Sequence, residues 1–378
     1  MSELFTPKQR MLNAYRGIAS DRYPVAPEFW YYYPAKVLGV PMVQYEREIP
    51  LWQALQVVFK KYACEGWGAV FPNIKLARGK TEVRFEKMGE DCYKETTITE
   101  YCGKQYTTVK RYSAAEPSWV QKHIASNSAE LMEIVGMMLD PDNEPLVSRM
   151  TEAHRGVGED YLLEAWLGVP FFDFIADIIG FEQAIMFFFE EDPQRLEDIR
   201  ARYTAYQINL VDQLCEKTPF ESYVIGCSYS CNSVIGPDMW RRWDKPYIQA
   251  IAERLHQNGK LLHIHFHGKS METVEDFPEL GVDCVCPFER SPGGDVNTLE
   301  DLKYVRHALN DRVTFNGNVH TVETLIRGNA EQVRQEVRQI KQAFQGSNRL
   351  IIGTGDQVGY ETKEENILAM IDEAKKSE

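Results

Sequence analysis

The stretch Leu261-Leu262-His263-Ile264-His265-Phe266-His267-Gly268 alternates histidines with apolar residues and ends in glycine. In an extended strand successive side chains point to opposite faces. His263, His265 and His267 therefore share one face, and Ile264 and Phe266 share the other. His263 lies deepest in the strand and reads as a core histidine with hydrogen-bond partners. His265 and His267 sit at the end that runs into Gly268. In a parallel barrel that is the end where active sites are built, and an H-x-H pair there can grip one metal ion.

Working outward, the chain has 378 residues, enough for one elaborated barrel. Hydrophobic residues make up 44% and the net charge is -14, a globular composition without the basic surface that nucleic acid requires. The eight cysteines form no C-x-x-C pair and read as reduced thiols. No signal-peptide pattern opens the sequence, so a cytoplasmic location is expected. The most apolar run, 167–189, is interrupted by Pro170, Asp173, Asp177, Gly180 and Glu182. It predicts a pair of buried helices and not a membrane span.

Short apolar runs recur along the chain at Pro24–Trp30, Gly66–Asn73, Tyr161–Trp166, Tyr223–Cys227, Leu261–His267, Val282–Pro287, Val313–Asn318 and Leu350–Gly355. Helical patterns fill the intervals. Eight strands alternating with helices predict an α/β fold, a (β/α)₈ TIM barrel, with an open doubly wound sheet as the alternative. Tyr31, Tyr32 and Tyr33 read as an aromatic loop. Between about 80 and 112 the period changes to two, with turn residues at Gly89-Glu90-Asp91 and Cys102-Gly103-Lys104, which predicts an antiparallel meander of about three strands inserted into one domain spanning 1–378.

Polar and aromatic side chains cluster at the ends of these strands. His265 and His267, with Asp356 after the last strand, make a two-His, one-carboxylate set suited to Zn²⁺, Fe²⁺ or Mn²⁺. Glu289, just past the sixth strand, is the reserve ligand. Glu289 and Glu164 are candidates for moving a proton, and Trp30, Tyr31, Trp166, Cys227 and Asn318 are candidate walls of a substrate pocket. No P-loop, nucleophile elbow or dinucleotide fingerprint is present.

An ordered set of pieces resembles the uroporphyrinogen decarboxylase superfamily, especially its cobalamin-dependent methyltransferase branch. They are Thr6-Pro7-Lys8-Gln9-Arg10 with Asp21-Arg22-Tyr23-Pro24-Val25, Ile235-Gly236-Pro237-Asp238-Met239-Trp240 through Lys245-Pro246-Tyr247, His265-Phe266-His267-Gly268, Phe315-Asn316-Gly317-Asn318-Val319, and Gly353-Thr354-Gly355 leading to Glu365-Asn366-Ile367. The resemblance implies a (β/α)₈ barrel. The parent decarboxylase has an arginine-rich loop after its first strand and an aspartate after its second. Here those regions read Pro27-Glu28-Phe29-Trp30-Tyr31 and Phe71-Pro72-Asn73, which leaves little to pair with a polycarboxylate. In the methyltransferase branch the zinc ligands are a His-x-Cys pair on the fifth strand and a cysteine after the eighth. The matching positions are His265, His267 and Asp356, so imidazole and carboxylate replace both thiolates.

What the resemblance implies is a metal-dependent methyltransferase with Zn²⁺ as the expected metal, and the harder donor set points to an O- or N-methyl compound as its substrate. Cobalamin is expected on a separate corrinoid protein, because this chain carries no D-x-H-x-x-G signature. A homodimer is the superfamily's expectation. A decarboxylase of a smaller acid and a metal-dependent hydrolase are the alternatives.

Overall fold

The computed structural model describes residues 4–376. Eight parallel strands form its central sheet: β1 (Val25–Ala26), β2 (Trp67–Val70), β3 (Leu162–Trp166), β4 (Ser222–Cys227), β5 (Leu261–Phe266), β6 (Cys284–Pro287), β7 (Thr314–Val319) and β8 (Leu350–Thr354). Their hydrogen-bonded order is β1-β8-β7-β6-β5-β4-β3-β2, each strand beside its neighbours in sequence. This is the order of a (β/α)₈ barrel. All eight runs read from the sequence are strands of that barrel, and the doubly wound alternative is excluded.

The seam between β1 and β2 is joined through side chains. Buried Glu65, just before β2, accepts the Val25 amide at 2.9 Å and binds Arg10 at 2.5 Å and Arg22 at 2.7 Å. Above it the Trp30 and Trp67 rings meet edge to face, with centroids 5.2 Å apart. Helix α1 (Pro7–Arg16) plugs the opposite end of the barrel. Thr6 caps it in a reciprocal capping box with Gln9, and Pro7 fits the first turn. Its Met11 and Tyr15 are fully buried, and Thr314 at the start of β7 donates to the Ala14 carbonyl at 2.7 Å.

Strand alternation separates two apolar layers. Ala26, Trp67, Leu162, Val224, Cys284, Cys286 and Ile351 point into the barrel with the plug helix, while Ile225, Ile264, Val285 and Phe315 face the surrounding helices. The apolar run at 167–189 forms two helices, Phe171–Ile179 and Phe181–Glu190, which part at Gly180 with φ of 93°. Among the described residues, no helix is long and apolar enough to cross a membrane. The expected Tyr31–Tyr33 loop is instead largely helical, since a helix runs from Tyr32 to Leu38.

The insertion is a four-stranded antiparallel sheet of Lys80–Lys87, Tyr93–Tyr101, Lys104–Tyr112 and Trp119–Lys122. Its central hairpin turns through Cys102 and Gly103, both at positive φ (50° and 75°), which matches the twist of paired strands. The fourth strand extends the meander beyond the three expected. It is short and exposed and follows Pro117, so it carries little alternation to read. The sheet is held beside the barrel mouth. The Arg47 guanidinium stacks 3.7 Å from the Phe85 ring centroid and pairs with Glu95, and Ser118 bonds Glu46.

Candidate functional site

β5 carries His263 and His265 inward, His267 follows just past its end, and register with the neighbouring strands sets what the two strand histidines meet. His263 pairs with Cys284 and His265 with Cys286 across the β5–β6 ladder. His263 is fully buried. Its Nδ1 lies 2.9 Å from Glu164 Oε2 and 3.1 Å from the Tyr15 hydroxyl, and its Nε2 lies 3.0 Å from Cys286 Sγ. Trp67 closes over its ring, with centroids 4.6 Å apart. This is the partnered core histidine that the sequence suggests. Glu164 is just as deep, with Ser222 donating to its Oε1 at 2.6 Å, so this proton-transfer candidate lies beneath the mouth.

Above this layer two groups of metal-competent side chains stand side by side. The first is Glu28, His265 and Cys286, and the second is His267, Glu289 and Asp356. Within each group the ligand atoms lie within 4.8 Å of one another. The His265 and His267 rings are 4.3 Å apart and nearly perpendicular. Of the three ligands read from the sequence, His267 and Asp356 fall in one group with the reserve ligand Glu289, while His265 falls in the other.

The two imidazoles are electrostatically unlike. Burial, together with neighbouring His267 and His263, drives the His265 pKa well below its ordinary value, which leaves a neutral ring with a lone pair for a ligand. Burial would also lower His267, but a 2.7 Å hydrogen bond to Glu289 Oε1 and the charges of Asp356, Glu289 and Glu28 push it up to about 9. The same Glu289 oxygen accepts the Gly268 amide at 2.9 Å, so the loop after β5 fixes the carboxylate that fixes the ring. Glu28 is raised well above the carboxylate range by burial and then by Asp356. Asp356 is also raised by burial, with Glu289 adding to the shift and His267 opposing it.

The candidate wall residues divide. Trp30 is buried against Trp67, and among the described residues its Nε1 has no hydrogen-bond partner. Tyr31 lies against Trp30 and Tyr45, and Trp166 stacks on Phe71 with centroids 5.0 Å apart. Cys227, by contrast, is buried in the outer layer between strands and helices. Asn318 uses its amide to hold the loop after β6, donating to the Phe288 and Val296 carbonyls at 3.0 Å each. Glu28, Trp67 and Cys286 are the residues that the sequence reading did not single out as site residues. The signal for Cys286 was its inward parity with Cys284, and for Glu28 its spacing of two from inward Ala26.

Beyond Asp356, residues Gly359 to Glu361 join Tyr32, Met42 and Glu116 around a cavity of about 810 Å³ between the loop after β8 and the inserted sheet. Gly359 follows Asp356 by three residues, so the cavity lies along the loop that carries Asp356, although the metal-competent groups do not line it.

Comparison with known proteins now decides the family. The family model described as uroporphyrinogen decarboxylase (URO-D) matches residues 111–377, most of the chain. The chain belongs to the uroporphyrinogen decarboxylase (URO-D) family. The match covers β3 through β8, and hence every URO-D strand that carries a histidine or cysteine of the two groups. No curated protein sequence matches. Among solved structures, a methyltransferase from Methanosarcina mazei is similar with a TM-score of 0.63, 16% identity and 98% of each chain covered, a likeness of fold. A ribulose-1,5-bisphosphate carboxylase/oxygenase from Pyrococcus horikoshii, at a TM-score of 0.31 and 14% identity over 65% of this chain and 47% of that one, is too distant to carry any argument.

Proposed function

We propose that this URO-D family protein is a metal-dependent methyltransferase that exchanges a methyl group between a small O- or N-methyl compound and a separate corrinoid protein. The observation that carries the reading is the convergence of His267, Glu289 and Asp356 at the C-terminal mouth of the barrel. Asp356 raises the pKa of buried Glu28, Glu289 raises that of half-buried Asp356, and gathering such groups away from water is costly unless a cation compensates them. A divalent ion fits that need and that donor set, and Zn²⁺ accepts nitrogen and oxygen ligands alike.

His267, Asp356 and Glu289 would hold it, and the ion would supply Lewis-acid polarisation of the heteroatom that carries or receives the methyl group. The protein's own contribution is placement. Glu289 orients the His267 ring from Nδ1, the arrangement by which carboxylates set metal-bound imidazoles. Trp30, Tyr31 and Trp166 supply an apolar wall that keeps water from the reacting centre. Glu164 acts at a distance, fixing His263 under the site. Cobalamin would arrive on the partner.

A parent-type decarboxylation of a polycarboxylate is disfavoured by charge. Arg290, near this mouth, has its guanidinium committed to the Asn318 and Asn297 carbonyls at 2.9 and 2.7 Å. The test is methyl transfer from a panel of methoxy compounds and methylamines to free cob(I)alamin, followed by the absorbance of methylcobalamin. Transfer by the Zn²⁺-loaded protein, abolished in Asp356→Asn, is the expected result. A loaded protein that methylates no cobalamin with any donor, but decarboxylates a small acid, overturns the reading.

A further inference from the structure

The group formed by Glu28, His265 and Cys286 supplies no ligand in the mechanism above, yet it has the attributes of a ligand set. Its ligand atoms lie within 4.8 Å of one another. His265 lies 3.0 Å from Cys286 Sγ at Nδ1 and 3.8 Å from Glu28 Oε1 at Nε2, and one of these two ring nitrogens would face the ion. Each member comes from a different barrel strand or strand end, so the backbone holds all three rigidly.

The support beneath is layered. Cys286 Sγ is also 3.0 Å from His263 Nε2, and His263 is fixed by Glu164, which Ser222 fixes in turn. Metal ligands are oriented in this way by outer hydrogen bonds. Two buried polar side chains are left with little to hold them. Glu28 is 6% exposed, and its carboxyl faces His265 Nε2 at 3.8 Å, beyond hydrogen-bond reach. Asn316 is 2% exposed and faces inward on β7 level with inward Ile351, and among the described residues its Nδ2 has no partner. Buried polar groups are rarely left unpaired without a bound ligand or water to take them.

We propose that Glu28, His265 and Cys286 form a second metal site, distinct from that of His267, Glu289 and Asp356 and deeper in the barrel, selective for a thiophilic divalent ion such as Zn²⁺. A thiolate, imidazole and carboxylate set is soft enough to retain Zn²⁺, whereas the outer set of one imidazole and two carboxylates suits a more exchangeable ion. The inference extends the functional reading above, which requires only the outer ion.

The experiment measures metal content of the full chain after chelator stripping, Zn²⁺ reconstitution and gel filtration, beside Co²⁺ substitution monitored for a thiolate-to-cobalt charge-transfer band. About two Zn²⁺ per chain are expected, falling to about one in Cys286→Ser, in Glu28→Gln and in Asp356→Asn. The charge-transfer band should persist in Asp356→Asn and vanish in Cys286→Ser. Circular dichroism checks folding, and Glu28→Gln keeps the test open if the serine variant fails to fold. A single Zn²⁺ lost only in Asp356→Asn overturns the second site and leaves the functional reading intact. A single Zn²⁺ lost only in Cys286→Ser and Glu28→Gln supports the inner site and overturns the outer one. A single Zn²⁺ lost in all three variants means one bridging ion and overturns the two-site inference. No bound Zn²⁺ in any protein overturns both.

Discussion

His265 near the end of β5 and His267 just past it stand two residues apart, and their surroundings drive their protonation in opposite directions. The consequence is a proton that metal must displace. His267 holds its proton up to about pH 9, so loading the outer site releases it. Apparent Zn²⁺ affinity should rise about tenfold per pH unit between about pH 7 and about pH 9 and then level off. Competition against a chromophoric chelator across that range checks this, and a flat profile would sink it. Stability of the metal-free protein follows the same group. A pKa raised on folding adds stability that is complete below the unfolded value near 6.5 and is lost as pH rises through about 9. The melting temperature of the stripped protein should therefore fall over that window.

Residue identity alone did not reveal who meets whom here. The H-x-H pair and Asp356 were legible because alternation and strand ends are local patterns. That Cys286 would touch His265, or that Glu289 would take the Gly268 amide, depends on β5–β6 register and loop path, which no local pattern encodes. Glu164 illustrates the cost of that gap. It looks like a strand-end acid, yet it is fully buried and bonded to Ser222 and His263. Glu164→Ala should cost about 3 kcal/mol in urea unfolding, because it strands both partners, and Glu164→Gln should recover part of it. Asp356→Asn removes one of the crowded carboxylates and should leave the stripped protein as stable as the parent or up to about 1 kcal/mol more so.

At the scale of elements, the barrel strands were readable because each is a short apolar run bounded by turns, and the insertion because its period is two. The start of a helix at Tyr32 was hidden by three consecutive tyrosines, and Trp119–Lys122 by its exposure. What ties the elements together is less visible still. Arg10 on α1 reaches Asp21 at 2.8 Å and Glu65 at 2.5 Å, joining the plug helix to the β1–β2 seam. The hydrogen bond to Arg10 holds Asp21 down to about 2. A depressed carboxylate contributes stability above its unfolded value near 4 and loses it as pH falls through about 2. Asp21→Asn should accordingly cost about 2 kcal/mol at neutral pH, with the difference closing on acidification. Equal unfolding midpoints for parent and variant at neutral pH would show that the seam holds without this pair. The inserted sheet depends on Arg47 in a comparable way. Arg47→Ala removes both the stacking on Phe85 and the Glu95 pair, and limited proteolysis should then cut within 80–122 sooner while the barrel stays intact.

For the molecule as a whole, the stripped barrel carries a local debt of like charge at its mouth, on a chain whose net charge is already -14. An ion that binds the folded state and not the unfolded one repays that debt by mass action. With free Zn²⁺ held about a hundredfold above its dissociation constant, each occupied site adds about 2.7 kcal/mol. The melting temperature should rise by several degrees, and the rise should be larger near pH 8 than near pH 6, because His267 resists loading at the lower pH. A parent-type decarboxylase that needs no metal makes the contrary prediction, since Zn²⁺ would then leave the melting curve where it was at either pH. Differential scanning fluorimetry of stripped and reconstituted protein, repeated with Asp356→Asn, separates the two. A shift in the parent that shrinks in the variant ties the stabilisation to the mouth of the barrel, whereas an equal shift in both would locate the ion elsewhere and remove the outer site from the mechanism.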